Sequence, residues 1–354
     1  PGLLDGHIHI ESSMLTPVGF AAAVIPHGTV GVYFDPHEIC NVLGPRGVEL
    51  MVEAAGSTPL KAMLTMPYCV PAVPGFEDTG ASVDAADVAK AMEDPRCVAL
   101  GEMMNDPGIL TGADGPHDIV AETLRAERTV TGHYTMPDMD RGLNAYIASG
   151  VRCCHESVRA EEALAKMRLG MYAMLREGSG WRDLHEVARA VAGHKVDSRF
   201  AVLVTDDAHP HTLVSEGHVD RLLRRAVAEG IDAVAALQMV TINCAQCFQM
   251  DQDLGSITPG KCADLVLFDD LQNFSVRLVV IDGEPVAQDG ALTAPLPAAA
   301  FPEWARRSMH LPGPVTAEQL TVRAPVDEGP VRVRTVEVIG GSAATREAIV
   351  TLHA

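Results

Sequence analysis

The chain has 354 residues, 47% of them apolar and 21% charged, with 27 Lys and Arg against 47 Asp and Glu, a formal net charge of −20 at pH 7. That is a globular composition with enough chain for one large core and some appended structure. So acidic a surface argues against nucleic acid and membrane partners, and for a small neutral or cationic ligand.

Aromatic residues are only 4%, so Ala, Val, Leu and Met must build most of the core. Such a core suits helices packed on a parallel sheet. Eight apolar runs read as strands, ending near His9, Asp35, Tyr68, Glu102, His133, His155, Arg176 and Asp206. Helix-like segments lie between most of them, as at 85–92, 117–128, 160–167 and 181–192. Strand and helix in alternation give a parallel sheet, and eight such units give an α/β fold of the closed (β/α)8 TIM-type barrel. A barrel of this kind places its chemistry at the carboxyl ends of its strands. These strands stay apolar until their last residues, and most of them then end in His, Asp, Glu or Arg.

A helical stretch runs from His218 to Met250, and the texture then changes. Leu254 to Asp270 and Phe274 to Val286 read as short antiparallel strands, the second pair turning at Asp282-Gly283. Three regions are expected: a (β/α)8 barrel at 1–250, part of a small β-sandwich at 251–290, and a linker with the start of a C-terminal module at 291–354. The chain begins at Pro1 without Met and soon reaches an active-site strand, so it reads as a fragment whose missing N-terminus supplies the partner strands. Its end within strand-like sequence suggests a truncated C-terminus as well. Eight Cys without a secretory signal fit reduced thiols and a cytoplasmic setting, and the Cys244/Cys247 pair reads as core.

The strongest local signal is Asp5-Gly6-His7-Ile8-His9. Residues i and i+2 of a strand point to one side, so His7 and His9 can hold one metal. Glu102 ends an apolar strand, where a buried carboxylate is costly unless it is paired or metal-bound. His133 and His155 end the next two strands, and Asp206 ends the eighth. Each alone has a plainer reading: a surface Glu, an interior His or a helix cap. Together, four imidazoles and two carboxylates at strand ends suit two divalent metals, with Glu102 bridging. Two metals of this kind can share a hydroxide and clamp a reacting group.

This pattern is that of the amidohydrolase superfamily. Within it, the stretches PGLLDGHIHIESSMLTP, PHGTVGVYFDPHEICNVLG, LNAYIASGV, RLGMYAMLREGS and VTDDAHPHTLVSEGHVDR resemble the adenine deaminase family across roughly residues 1–290. The resemblance implies hydrolytic deamination of adenine to hypoxanthine and ammonia in purine salvage. It implies two Mn2+ or Fe2+ ions, with Zn2+ as a third choice, and a homo-oligomer such as a dimer. His7, His9, Glu102, His133, His155 and Asp206 are the expected ligands, and Asp206 also the proton carrier. Glu11 and His209 are further catalytic candidates. Asp35, His37, Glu38, Arg176, Glu177, Ser179 and Asp207 are candidate substrate contacts. The sequence departs from the family at Tyr134-Thr135, where Ala-Pro is expected, and at Cys154, where Asp is expected. These departures keep open a hydrolase acting on another nucleobase or amino-heterocycle. A sugar-phosphate deacetylase is less favoured, for want of a cationic phosphate site. A non-catalytic scaffold is least favoured, because the ligand set is complete.

Overall fold

The strands that end in ionisable residues are buried almost throughout. β1 (Leu3–His9) and β2 (Thr29–Phe34) have every residue buried, as strands covered on both faces must be. β3 (Lys61–Met66), β4 (Cys97–Met103), β5 (Thr129–Gly132), β6 (Val151–Cys154), β7 (Tyr172–Arg176) and β8 (Ala201–Val204) follow in chain order, each parallel to its neighbour. These elements come from a computed structural model that describes residues 1–193, 196–308 and 310–353. Ala354, the expected end of the C-terminal module, lies outside them.

The barrel closes through a broken eighth strand. β8 pairs with β7 as far as Arg176↔Val204, and the chain then turns at Asp206, whose φ of 63° is left-handed. The short β9 (Asp206–Asp207) pairs instead with β1, through Ile8↔Asp206 and His9↔Asp207. Asp5 staples this break from beneath. Its carboxylate accepts the Thr205 backbone N–H at 3.1 Å and the Thr205 hydroxyl at 2.5 Å. The His218 ring lies 3.2 Å from the same carboxylate, and both residues are fully buried.

Helices cover the outside of the barrel. Helix Val219–Ala228 buries Val219, Leu222, Leu223 and Ala226, a stripe at helical spacing. The stretch expected as one helix from His218 to Met250 forms three: Val219–Ala228, Ala233–Met239 and Ile242–Cys247. Gly230, at φ 91°, ends the first, and the Asp232 carboxylate caps the second by accepting the Val234 and Ala235 N–H groups. The 181–192 segment likewise forms two short helices, Leu184–Val187 and Arg189–Ala192.

Beyond the barrel, β10 (Leu265–Phe268), β11 (Val276–Ile281), β12 (Glu284–Gln288) and β13 (Ala291–Leu292) form a four-stranded antiparallel sheet. Lys61 of β3 ties it down, with Nζ 2.8 Å from both Asp264 and Asp282. The last element is a two-stranded hairpin, β14 (Pro330–Val338) and β15 (Thr345–His353). All eight Cys are free, and Cys244 and Cys247 are buried in the core as expected. Among the described residues, no helix is long and apolar enough to cross a membrane.

Candidate active site

Six of the residues singled out at strand ends meet at one mouth of the barrel. β1 presents His7 and His9, β4 presents Glu102, the chain just past β5 and β6 presents His133 and His155, and β9 presents Asp206. Glu102 lies between two pairs of imidazoles. Its Oε1 is 2.9 Å from His9 Nε2 and 3.8 Å from His7 Nε2. Its Oε2 is 2.5 Å from His133 Nδ1 and 3.3 Å from His155 Nε2. Asp206 Oδ1 is 3.4 Å from Nε2 of both His7 and His9. One carboxylate thus faces both halves of the site, and the other faces the β1 half.

The ring orientations prepare these nitrogens for a cation. His9 Nδ1 is 2.8 Å from the Asp35 carbonyl oxygen, a contact that places the proton on Nδ1 and leaves Nε2 free toward the site. Among the described residues, His7 Nε2 is buried without a hydrogen-bond partner. Such an atom is costly to bury unless something else satisfies it. Two groups of three, His7/Glu102/His155 and His7/His9/Asp206, bring their donor atoms close enough to share an ion. The residues therefore fit divalent metal ions.

The electrostatics agree with a cluster built for positive charge. Burial pushes the Glu102 and Asp206 carboxyls up, but the facing imidazoles outweigh it and hold both well below the usual range. Burial lowers His9 as well, and there Glu102 and Asp206 prevail and leave it well above its ordinary value. His155, buried and stacked on His7 at 4.1 Å between ring centroids, is pushed down to about 4 by burial and by the charge of His7.

Supporting groups lie directly beneath. Asp35 is fully buried and accepts the Glu102 backbone N–H at 3.0 Å. Gly101 makes room for it, since a Cβ there would sit 2.4 Å from Asp35 Oδ2. The His133 backbone N–H donates to the Tyr146 hydroxyl at 3.0 Å, and that hydroxyl donates to the Met103 carbonyl.

Above the six residues is a cavity of 390 Å³, lined by His9, Glu102, His133, His155 and Asp206 among them, and by His37, Glu38, Met104, Glu156, Trp181, Asp207 and Ala343. His37, Glu38 and Asp207, candidates from the sequence, thus line the cavity. The other candidates do not line it. Asp35 lies beneath Glu102. Arg176 is fully buried, with Nη1 bonded to Glu156 and, at 2.8 Å, to Asp206 Oδ2. Glu177 turns away to Arg221, at 3.6 Å. Ser179 donates to the Thr212 hydroxyl at 2.8 Å and accepts the His209 N–H at 2.7 Å, which staples the rim. His209 itself is exposed at the start of helix Pro210–Ser215. Glu11 accepts the Ile39 N–H at 3.2 Å in the first turn of helix His37–Leu43 and faces a separate groove with Met14 and Phe301. Burial and the nearby Glu38 push its carboxyl up to about 8.

Tyr134 and Cys154 also lie outside the cavity. Tyr134 is fully buried, and its hydroxyl donates to the Asp138 carbonyl at 2.6 Å. Cys154 accepts a hydrogen bond from the Lys166 ammonium at 3.1 Å. Sequence reasoning missed Glu156, whose Oε1 is 3.6 Å from His155 Nε2 and 3.8 Å from His133 Nε2. It also missed Trp181, although the chain has only two Trp and that scarcity was a usable signal.

Comparison with known proteins follows the same lines. A model of the amidohydrolase family matches residues 1–286. An adenine deaminase of Clostridium botulinum (strain Loch Maree / Type A3) is 58% identical over 353 residues, covering 100% of this chain and 59% of its own length. An adenine deaminase of Moorella thermoacetica is 48% identical over 352 residues, covering 99% of this chain and 59% of its own. The chain thus spans 59% of the length of these curated relatives. Among solved structures, a molinate hydrolase superposes with a TM-score of 0.56 at 17% identity, over 81% of this chain and 82% of that one, and shares the fold. With the match across residues 1–286 and the strand-end ligand set together, the chain belongs to the amidohydrolase family.

Proposed function

We propose that this protein hydrolyses adenine to hypoxanthine and ammonia. The observation that carries the reading is the convergence of His7, His9, Glu102, His133, His155 and Asp206 beneath one cavity of 390 Å³. That volume suits a bicyclic base. The substrate itself is suggested by curated relatives of 58% and 48% identity, both named adenine deaminase.

The six residues are assigned as ligands of two divalent ions, because imidazole and carboxylate donors suit metals such as Mn2+, Fe2+ or Zn2+; Mn2+ or Fe2+ is the choice that the adenine deaminase resemblance implies. When bound, such ions supply a nucleophilic water oxygen near neutral pH. The remaining work falls to the protein. Asp206 has Oδ2 committed to Arg176, so Oδ1 is the oxygen left to handle protons. As the water oxygen bonds to C6 of the base, the C6–N1 double bond opens and Oδ1 passes the first water proton to N1; the second, taken from the new C6 hydroxyl as the C6 carbonyl forms, goes to the amino nitrogen as its bond to C6 breaks. Ammonia leaves and the carbonyl of hypoxanthine remains.

Glu38 at the mouth and Asp207 beside Asp206 supply acceptors for the N–H groups of the base. Trp181 offers a flat apolar wall for its ring. Acidic neighbours of this kind disfavour phosphorylated substrates. The eight free thiols support a cytoplasmic setting.

The test is ammonia release from adenine by protein loaded anaerobically with Fe2+ or Mn2+, with adenosine, cytosine and guanine in parallel. Turnover of adenine alone is expected. Two bound metals with no turnover of adenine would remove the substrate assignment and leave the metal centre standing.

A further inference from the structure

The chain beyond the small sheet returns to the barrel twice. Trp304 takes the Arg46 guanidinium over its ring, with Cζ 3.7 Å from the centroid. Farther on, the β14–β15 hairpin holds much of its length in solvent, with Val336 72% exposed and Val338 76%. Its turn is docked at the mouth of the cavity. The Arg182 N–H donates to the Gly341 carbonyl at 2.9 Å. The Ser342 hydroxyl donates to Asp183 Oδ1 at 2.6 Å. Ala343 lines the cavity together with Trp181, His37 and Asp207.

From Ser342 a continuous polar path leads inward. Asp183 is 3% exposed, and its second oxygen accepts Arg176 Nη2 at 3.2 Å. Arg176 Nη1 donates to Asp206 Oδ2 at 2.8 Å. The guanidinium lies among three carboxylates, those of Glu156, Asp183 and Asp206. Its position is therefore a balance of three pulls. Ser342 fixes one of them by occupying Oδ1 of Asp183 and turning Oδ2 toward Arg176. Without that hydroxyl a buried carboxylate oxygen loses its partner, Asp183 can rotate, and the grip on Asp206 changes.

We infer that the turn of the β14–β15 hairpin is a working part of the active site: Ser342 is a positioning residue that holds Asp206 through Asp183 and Arg176, and Ala343 is a wall that determines how large a base the cavity admits. The role of Ala343 rests on the proposed reaction with a free base. The Ser342 path does not, because it ends on the carboxylate itself.

The experiment uses the whole chain loaded with Mn2+, in wild type and in Ser342→Ala, Ser342→Thr, Ala343→Leu and Val336→Thr, the last at an exposed hairpin position. All should bind Mn2+ to the same stoichiometry. Ser342→Ala should lower kcat for adenine about tenfold with little change in KM, and Ser342→Thr should restore it. The Mn2+ electron paramagnetic resonance spectrum should change in Ser342→Ala and return in Ser342→Thr. Ala343→Leu should instead raise KM about tenfold, with kcat nearly kept. Val336→Thr should match wild type. A wild-type kcat and spectrum in Ser342→Ala, a loss that Thr does not reverse, or an equal loss in Val336→Thr would each overturn the positioning role. An unchanged KM in Ala343→Leu would remove the wall. If wild type does not turn over adenine, the proposed reaction and the substrate wall resting on it both fail. The spectra then decide the Ser342 path: altered in Ala and restored in Thr supports it, and identical spectra overturn it.

Discussion

His7 and Asp206 face each other across the site, with 3.4 Å between His7 Nε2 and Asp206 Oδ1, yet they differ in what else holds them. Among the described residues His7 Nε2 has no hydrogen-bond partner, so its place in the cluster depends on a bound cation. Asp206 is anchored by Arg176 through Oδ2, so the amide oxygen of an Asn in its place stays on Arg176 and its NH2, which cannot accept a proton, faces the site. His7→Ala should therefore lose metal before anything else. Asp206→Asn should retain metal and lose turnover by about 10²- to 10⁴-fold, the usual worth of a positioned proton carrier. Metal analysis beside steady-state rates separates the two, and equal metal loss in both variants would refute this division of labour. The six clustered residues were legible because they lie at or just past the ends of apolar strands and because the two-residue period of β1 puts His7 and His9 on one side. Glu156 was not legible. It follows His155 where the strand has ended and alternation no longer says which way a side chain points. Arg176 was misplaced for a related reason: a charged residue at a strand end reads as facing substrate, whereas here three carboxylates compensate its burial.

Strands 1 to 7 of the barrel carry their sequence signal over four to seven residues, and the structure places all of them close to where the apolar runs predict. The eighth is split, because closing the barrel requires one stretch of chain to pair with β7 and then with β1. A left-handed Asp206 is a conformational detail that no hydrophobic pattern encodes. Between β3 and β4 the fit depends on Gly101. A methyl group there would meet Asp35 Oδ2 at 2.4 Å and the Met66 carbonyl at 2.9 Å. Gly101→Ala should thus cost about 2–4 kcal/mol of stability and displace Glu102, with wild-type denaturation and metal content refuting the claim. A helix start gives the pH-dependent case. Asp220 at the start of Val219–Ala228 accepts the His218 N–H at 2.9 Å, and its other oxygen accepts Arg224 Nη1 at 2.9 Å and lies 3.2 Å from His27. Burial pushes its carboxyl up, but His27 and Arg224 outweigh that and hold it below the ordinary carboxylate range. A depressed folded-state value means stability that is present above the unfolded pKa and lost as pH falls through the folded one. Asp220→Asn should be about 2–3 kcal/mol less stable at pH 7. The difference should close as acid brings both proteins below that range, and a gap that persists in acid would show that the lost term is packing rather than charge.

At the scale of the whole molecule, the site and the closure of the barrel are the same place. Only two residue pairs, Ile8↔Asp206 and His9↔Asp207, join β9 to β1, fewer than at the seam between β1 and β2. The six ligand-type residues come from β1, β4, β9 and the chain just past β5 and β6, so ions held among them tie the narrow seam to the opposite wall. The sequence could list these residues but not this consequence, since pairing across some 200 residues leaves no periodic trace. It could not place the 339–344 turn at the cavity mouth for the same reason. Chelation should therefore lower Tm by about 5 °C for each ion lost, the equivalent of about 4 kcal/mol for an ion present at a thousandfold excess over Kd. The loosening should be local, with amide exchange in residues 3–9 and 204–207 rising more than in β2 and β3. Protons compete for the same imidazole nitrogens, because a ligand must be deprotonated to bind metal. The gap in Tm between loaded and chelated protein should then narrow as pH falls from about 8 to about 6, the range in which an ordinary imidazole gains its proton. Exchange that rises evenly around the barrel would mean that the seam is held by packing alone. A gap that does not respond to pH would mean that the imidazoles facing Glu102 and Asp206 are not what binds the ions.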